Sequence, residues 1–469
     1  MNLRKVFLLI YILLSTILFA SFSCDIFVWA SFFISFLVIS LIAYYHLFIE
    51  KEYSPFISAY IVFNYLFFLL APIIQIGSFT DTNNRFATMF VYNIGLTLKT
   101  NAIIVFFNII FFFSYVYFKK KFKSKITRVV VSKKDKTLPL TLLILLIISL
   151  TVLFFSLDFI MDEFARPSWK KSTYSVFELL VQKKVLFMIP FATIILCSQF
   201  YKSQNKKNNN AIIIFFILIF SIIILFWFKN PLTEKRNALG PIYIGLIFIF
   251  FPKILNTNVK IMSFLFFAMI LLFPLFQIFT HIDYSFEAIV NNPKLILEEF
   301  TNTKFAETFN TLNYDAYSNI SATIEYVSMN GFSYGYQLLS GLLFFVPRSI
   351  WESKPISTGE LIGDFIIDEY GFNFNNLSNP LVSEGYVNFG IFGVILLSLV
   401  LSFIVVRFLI WLNSRDQLKK NIAFYFSIHM LFLLRGDFTN GYAYFIGTIL
   451  GVLLIPKFVN KAVKLMLKK

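Results

Sequence analysis

The feature that most constrains this chain is a succession of apolar runs, most of them long enough to cross a bilayer and each separated from the next by polar residues. A helical span needs roughly 20 apolar residues to cover about 30 Å of hydrocarbon. Such runs fall near residues 5–22, 26–49, 55–77, 89–118, 138–157, 184–201, 211–228, 238–252, 260–279, 386–411, 421–434 and 441–456. Lipid offers backbone N–H and C=O groups no partner, so each run must satisfy them internally as a helix. The predicted fold is therefore all-α, a polytopic transmembrane helical bundle of about twelve spans. Composition points the same way: 58% of residues are hydrophobic and only 14% charged, against about 25% charged in a soluble domain. No soluble core could hold that much apolar surface. Cys24 follows the first run, but Ser21-Phe22-Ser23 before it lacks the Leu of a lipoprotein cleavage site, and an uncleaved first helix is expected.

Orientation follows from the placement of cations. With both termini inside, the cytoplasmic segments collect most of the Lys and Arg, including Lys119, Lys120, Lys121, Lys123, Lys125, Arg128, Lys133, Lys134 and Lys136. Only Glu50, Glu52, Asp135 and Asp416 of the 25 acidic residues fall on that side. The net charge of +16 thus reflects basic loops facing the cytosol and anionic lipid, and does not signal nucleic acid. Lys99 and Arg407 lie inside spans, where they can snorkel to an interface. Cys24 and Cys197 would lie toward opposite faces, which argues against a disulfide between them.

Three regions result: residues 1–279 with the first nine spans, an external loop over 280–385, and residues 386–469 with the last three spans and a cytoplasmic tail. A connection as long as 280–385 is usually functional or disordered. This one predicts order, with a helix opening at Asn292-Pro293, an aromatic stretch bearing Tyr314, Tyr317 and Tyr326, and the apolar run Leu338 to Val346. That run is too short to span and suits an interfacial or re-entrant segment. It ends in Pro347-Arg348-Ser349-Ile350-Trp351-Glu352-Ser353-Lys354-Pro355, which either anchors the segment or presents cations to a ligand. A separate stretch, 159–183, reads as interfacial and amphipathic, broken at Pro167.

Cations recur on the outer face. Lys229, Lys235 and Arg236 lie after the seventh span, and Arg435 lies in Arg435-Gly436-Asp437 before the last one. Positive residues are disfavoured in short outer loops, so these places need a reason to keep them. Arg binds phosphate oxygens through a planar, permanently charged fork, and a lipid-linked phosphate or diphosphate would supply the reason. The alternative is an internal pair in which Asp437 holds Arg435.

Pro-Arg-Ser-Ile-Trp-Glu-Ser-Lys-Pro at 347–355, Ser383-Glu384-Gly385-Tyr386-Val387-Asn388-Phe389-Gly390, and Arg435-Gly436-Asp437 together resemble the O-antigen and capsular oligosaccharide repeat-unit polymerases of the Wzy type. Glu-Lys-Arg-Asn-Ala at 234–238 is similar to that family's earlier arginine-bearing loop. The resemblance implies a glycosyltransferase at the outer face of the bacterial cytoplasmic (inner) membrane. It would move a growing chain from undecaprenyl diphosphate to a new lipid-linked repeat unit, as O-antigen or capsule. It implies no cofactor and no obligatory metal, and the sequence shows no Gly-rich phosphate loop and no paired Cys or His metal spacing. Its implied partners are the undecaprenyl-diphosphate-linked oligosaccharide, membrane lipid and a polysaccharide chain-length regulator.

Such a reaction needs cations for the leaving diphosphate and a base for the acceptor hydroxyl. Arg236, Arg348 and Arg435 are the candidates for the first role, supported by Lys354. Glu384 leads Asp437 for the second, with His281 beside Asp283 a further base candidate; His46 and His429 show no evident partner. Tyr386 and the loop tyrosines are read either as sugar-stacking platforms or as interfacial and core aromatics. The other classes to weigh are a lipid-linked oligosaccharide flippase or transporter and an O-antigen ligase. A transporter predicts repeat symmetry between halves, which the sequence lacks, whereas a ligase shares the late outer loop and the arginines.

Overall fold

The structure is a computed structural model that describes residues 3–124, 137–165, 174–203, 210–231, 233–234, 236–274, 292 and 305–467. The basic residues Lys125, Arg128, Lys133, Lys134 and Lys136, the break at Pro167, Lys235, His281, Asp283 and the helix start at Pro293 lie outside them.

The described residues are mostly helical, without strands. Among the described residues, nine helices are long and apolar enough to cross a membrane, from Leu3–Ala20 to Phe438–Met466. Two shorter apolar helices, Asn237–Phe250 and Asn258–Leu272, and the more polar helix Gln417–Arg435 occupy the remaining positions where spans were expected. Pro55–Gly77 lies at the centre, with 89% of its apolar window buried, against 22% for the peripheral Leu3–Ala20. Wide π-helical turns at Leu66–Leu70 and Ile449–Leu454 end just before Pro72 and Pro456. Those prolines cannot donate to the preceding turn, and the wider turn absorbs the lost bond. The stretch expected to lie at the interface up to residue 183 is corrected. Leu157–Ala165 is a short helix, but residues from Phe177 onward belong to the long apolar helix Phe177–Lys202. Cys24 and Cys197 are both free.

The described part of the late loop, from Phe305 onward, does not hang away from the bundle. Its helix Ala316–Asn330 is sunk among the spans, with Ser318, Asn319, Ser321 and Thr323 all buried. A polar helix can sit there because the neighbouring span answers it. The Thr100 and Ser321 hydroxyls meet at 2.9 Å, and Tyr317 donates to Asn101 Oδ1 at 3.1 Å. Gln75 of the central span holds the approach to this helix by donating to the Phe309 carbonyl at 2.7 Å.

The first of the late spans is broken. Within Leu381–Leu412, Phe389 and Gly390 leave helical geometry (Gly390 φ 59°, ψ −139°), so residues 381–388 form a separate, wholly buried helix. It folds back on the span, and the Gly385 carbonyl lies where a Cβ on Gly393 would stand. Gly390 adopts a conformation reserved for glycine, and a Cβ there would also meet the Phe332 ring at 3.0 Å. Gly390→Ala is accordingly expected to cost about 1–3 kcal/mol, read as a lower Tm in detergent.

Where the helices Ile26–Ile49 and Ile94–Lys121 end and Pro55–Gly77 begins lies a buried polar network. His46 bonds to Glu50 through Nδ1 and to the Ser58 hydroxyl through Nε2 at 2.7 Å, so the expectation that His46 lacks a partner is corrected. Lys119 donates to Glu50 at 2.5 Å and pairs with Glu52 at 2.8 Å, and Tyr115 donates to Glu50 as well. Two of the few acidic residues expected on the cytoplasmic side are thus used to hold one lysine. Burial pushes the Glu50 carboxyl up, but His46 and Lys119 outweigh it and hold the group below its usual range. A depressed carboxyl stabilises the fold above its unfolded pKa, about 4.3, and that contribution is lost as pH falls through the lower folded value. Glu50→Gln is expected to lower Tm by a constant amount at neutral and mildly acidic pH, with the gap to the parent protein closing below about pH 4.

Candidate functional site

Two carboxylates singled out from the sequence, Glu384 and Asp437, converge on the first turn of the helix Thr358–Tyr370. Glu384 sits on the buried helix 381–388 and is 1% exposed. Its Oε1 accepts from the Thr358 hydroxyl at 3.0 Å and from Asn388 Nδ2 at 3.3 Å, while its Oε2 has no hydrogen-bond partner. Asp437 caps the helix Phe438–Thr448, accepting from Asn440 N at 3.2 Å, and its Oδ2 accepts from Gly359 N at 3.0 Å. The amino-terminal ends of these helices carry partial positive charge, which favours carboxylates placed there. Gly359 is needed for the approach, because a Cβ would stand 2.2 Å from the Leu377 carbonyl oxygen.

Two of the candidate cations have partners within the protein. Arg435 donates to the Leu312 carbonyl at 2.8 Å and to Asp315 Oδ1 at 3.1 Å, with its guanidinium 5.7 Å from the Phe67 ring centroid. The internal pair considered for Arg435 therefore exists, but with Asp315 in place of Asp437. Asp437 instead holds two helix starts. Lys354 donates to the carbonyls of Leu343, Phe344 and Val346 at 2.9–3.0 Å, closing the end of the helix Tyr336–Leu342. Its contribution is accordingly a cap on that helix. Arg348 itself is exposed. Arg236 opens the helix Arg236–Phe250, and its side chain lies outside the described residues.

Tyr386 is 7% exposed, packed edge-on against Phe332, with Lys99 Nζ 5.8 Å from its ring centroid. It occupies a core position, not an open platform. His429 also has partners: its Nε2 donates to the Gly441 carbonyl at 3.2 Å, and its ring stacks near Tyr425.

Reasoning from sequence missed Thr358, Gly359, Asn388 and Asp315. A signal for the first two existed, because Ser357-Thr358-Gly359-Glu360 has the Ser-x-x-Glu spacing of a capping box. Ser357 indeed accepts from Glu360 N at 3.4 Å. Asp315 carried no comparable signal, since its partner is 120 residues away.

Fold and site define the class: an all-α polytopic membrane protein whose late loop is built into the bundle over a buried pair of carboxylates. Residues 377–463 match the family model described as O-antigen polysaccharide polymerase Wzy. The match supports a place in the Wzy-type O-antigen polymerase family, and it contains Glu384, Tyr386, Arg435 and Asp437. No curated protein and no solved structure matches the chain.

Proposed function

We propose that this chain is a glycosyltransferase that joins undecaprenyl-diphosphate-linked oligosaccharide repeat units into a surface polysaccharide at the outer face of the cytoplasmic membrane. The observation that carries the reading is the family match over 377–463, which contains both carboxylates held at the start of Thr358–Tyr370. Glu384 is the base. Its Oε1 already accepts from an aliphatic hydroxyl, that of Thr358, at 3.0 Å, which is the contact a sugar acceptor hydroxyl would make. In the reaction the acceptor oxygen bonds to the anomeric carbon of the donor chain and its proton passes to Glu384. The bond from that carbon to the diphosphate oxygen breaks, and undecaprenyl diphosphate leaves. Arg348 and Arg236 supply permanent charges for the leaving diphosphate, and Arg435 holds the loop through Asp315. Because Glu384 is sealed, an acceptor reaches it only when the start of Thr358–Tyr370 moves aside. The chain-length regulator is a partner on the same side of the membrane.

Deletion of the gene tests the class of activity. A polymerase predicts surface glycan reduced to single-repeat caps. Complete absence of surface glycan would favour a flippase or a ligase.

A further inference from the structure

Within the segment from Phe332 to Lys354, the part from Tyr336 to Phe345 has its polarity inverted. On the helix Tyr336–Leu342 the inward side chains are Gln337 and Ser340, 7% and 4% exposed, while Leu339 and Leu342 point outward at 45% and 43%. Phe345 beyond it is 60% exposed. In water this arrangement would be turned round, because burying polar groups and exposing apolar ones costs free energy on both counts. The carbonyls after this helix and the tips of Trp351 and Tyr336 are also satisfied from within, although Gln337 Oε1 has no partner. Lys354 takes up the carbonyls of Leu343, Phe344 and Val346 that a helix end normally leaves to solvent. Trp351 Nε1 donates to the Tyr336 oxygen at 3.2 Å, and Tyr336 in turn lies 2.9 Å from the Ser353 hydroxyl. Internal satisfaction of this kind is the rule for backbone in hydrocarbon, where water is absent.

The surroundings are continuous with lipid. Gly335 packs on Phe389 at the broken helix, and Ser333 N donates to the Val387 carbonyl at 2.9 Å. The next residues, Ile391 and Phe392, open a span and are 45% and 66% exposed. On its other side Gly341 packs against Phe438 and Thr439, at the start of the last long helix. The geometry points to a re-entrant wedge: residues 332–354 are seated in the bilayer leaflet on this side of the bundle, with Leu339, Leu342 and Phe345 against acyl chains. Arg348 and Glu352, both exposed, mark the headgroup level. The occupant of this face is the bilayer itself, and the seating does not depend on the polymerase reading.

Spin labels attached at single cysteines, after Cys24→Ser and Cys197→Ser, test the wedge in the full chain reconstituted in phosphatidylglycerol-containing vesicles. Leu339→Cys, Leu342→Cys and Phe345→Cys are expected to be relaxed by oxygen and to lose relaxation by a water-soluble nickel chelate, as Phe392→Cys does. Glu352→Cys and Asn330→Cys are expected to retain relaxation by the chelate. Chelate access at Leu339 and Leu342 equal to that at Glu352 would place the segment in water and overturn the inference. Exclusion of both probes at Leu339 and Leu342 would overturn it too, since the face would then be covered by protein.

Discussion

Glu384→Gln is expected to slow repeat-unit addition by about 10²–10⁴-fold while the protein remains in the membrane at normal abundance. The two are close in shape, and a Gln carbonyl can still accept from the Thr358 hydroxyl and the Asn388 amide that now meet Oε1. What is lost is the capacity to take a proton. Chain-length distribution of the surface glycan and single-turnover extension by purified protein give the readout. Thr358→Val separates the base from the cap. It removes the hydroxyl that contacts Glu384 but leaves Gly359 N bonded to Asp437, and chain extension is expected to survive it. Normal chain lengths and rates in Glu384→Gln would remove Glu384 from the chemistry, and attention would pass to Asp437.

The second large effect is on folding. Arg435→Ala is expected to destabilise the protein by about 3 kcal/mol, the lower end of what is lost when one member of a buried ion pair is removed. The lower end applies because a quarter of the Arg435 side chain is exposed, whereas Asp315 is 3% exposed and would be left charged and buried. Asp315 would retain only the Ser378 hydroxyl, with the Leu312 carbonyl also stripped of its donor. The double variant Arg435→Ala with Asp315→Asn is expected to recover much of the lost Tm and membrane abundance, because no uncompensated charge remains. Arg435→Lys should recover less than the double variant, since a point charge cannot reach the Leu312 and Asp315 oxygens as the planar guanidinium does. If Arg435→Ala instead keeps full stability and abundance while long-chain glycan disappears, Arg435 acts on substrate.

How much of this was legible in the sequence depends on whether the signal was local. A run of apolar residues announces its own solvent, so the spans and the all-α class could be read directly. Edges failed where composition is blind to conformation. Nothing in Val387-Asn388-Phe389-Gly390 counts as a break in hydropathy, yet Gly390 reverses the chain there. Phe177 to Lys183 reads as amphipathic because of Glu178, Lys183 and Lys184, although Lys183 is paired with Glu163 inside the fold. The polar helix Ala316–Asn330 looked like loop because its Ser and Thr residues are answered by Thr100 and Asn101, more than two hundred residues earlier in the chain. The same limit explains the site. Glu384 and Asp437 were identifiable as acidic residues at helix starts, but their meeting at Thr358 and Gly359 is a tertiary fact. The outer-face cations were expected to need a reason to be kept, and two of them have partners within the protein: Arg435 in Asp315, and Lys354 in a helix end.

The central claim is that this chain polymerises lipid-linked repeat units. Purified protein in a bilayer, given only synthetic undecaprenyl-diphosphate-linked repeat units, tests it most directly. The expected result is a ladder of lipid-linked products differing by one repeat, with undecaprenyl diphosphate released in proportion to the bonds formed. Single repeats returned unextended by a folded protein, or merely moved across the bilayer, would contradict it.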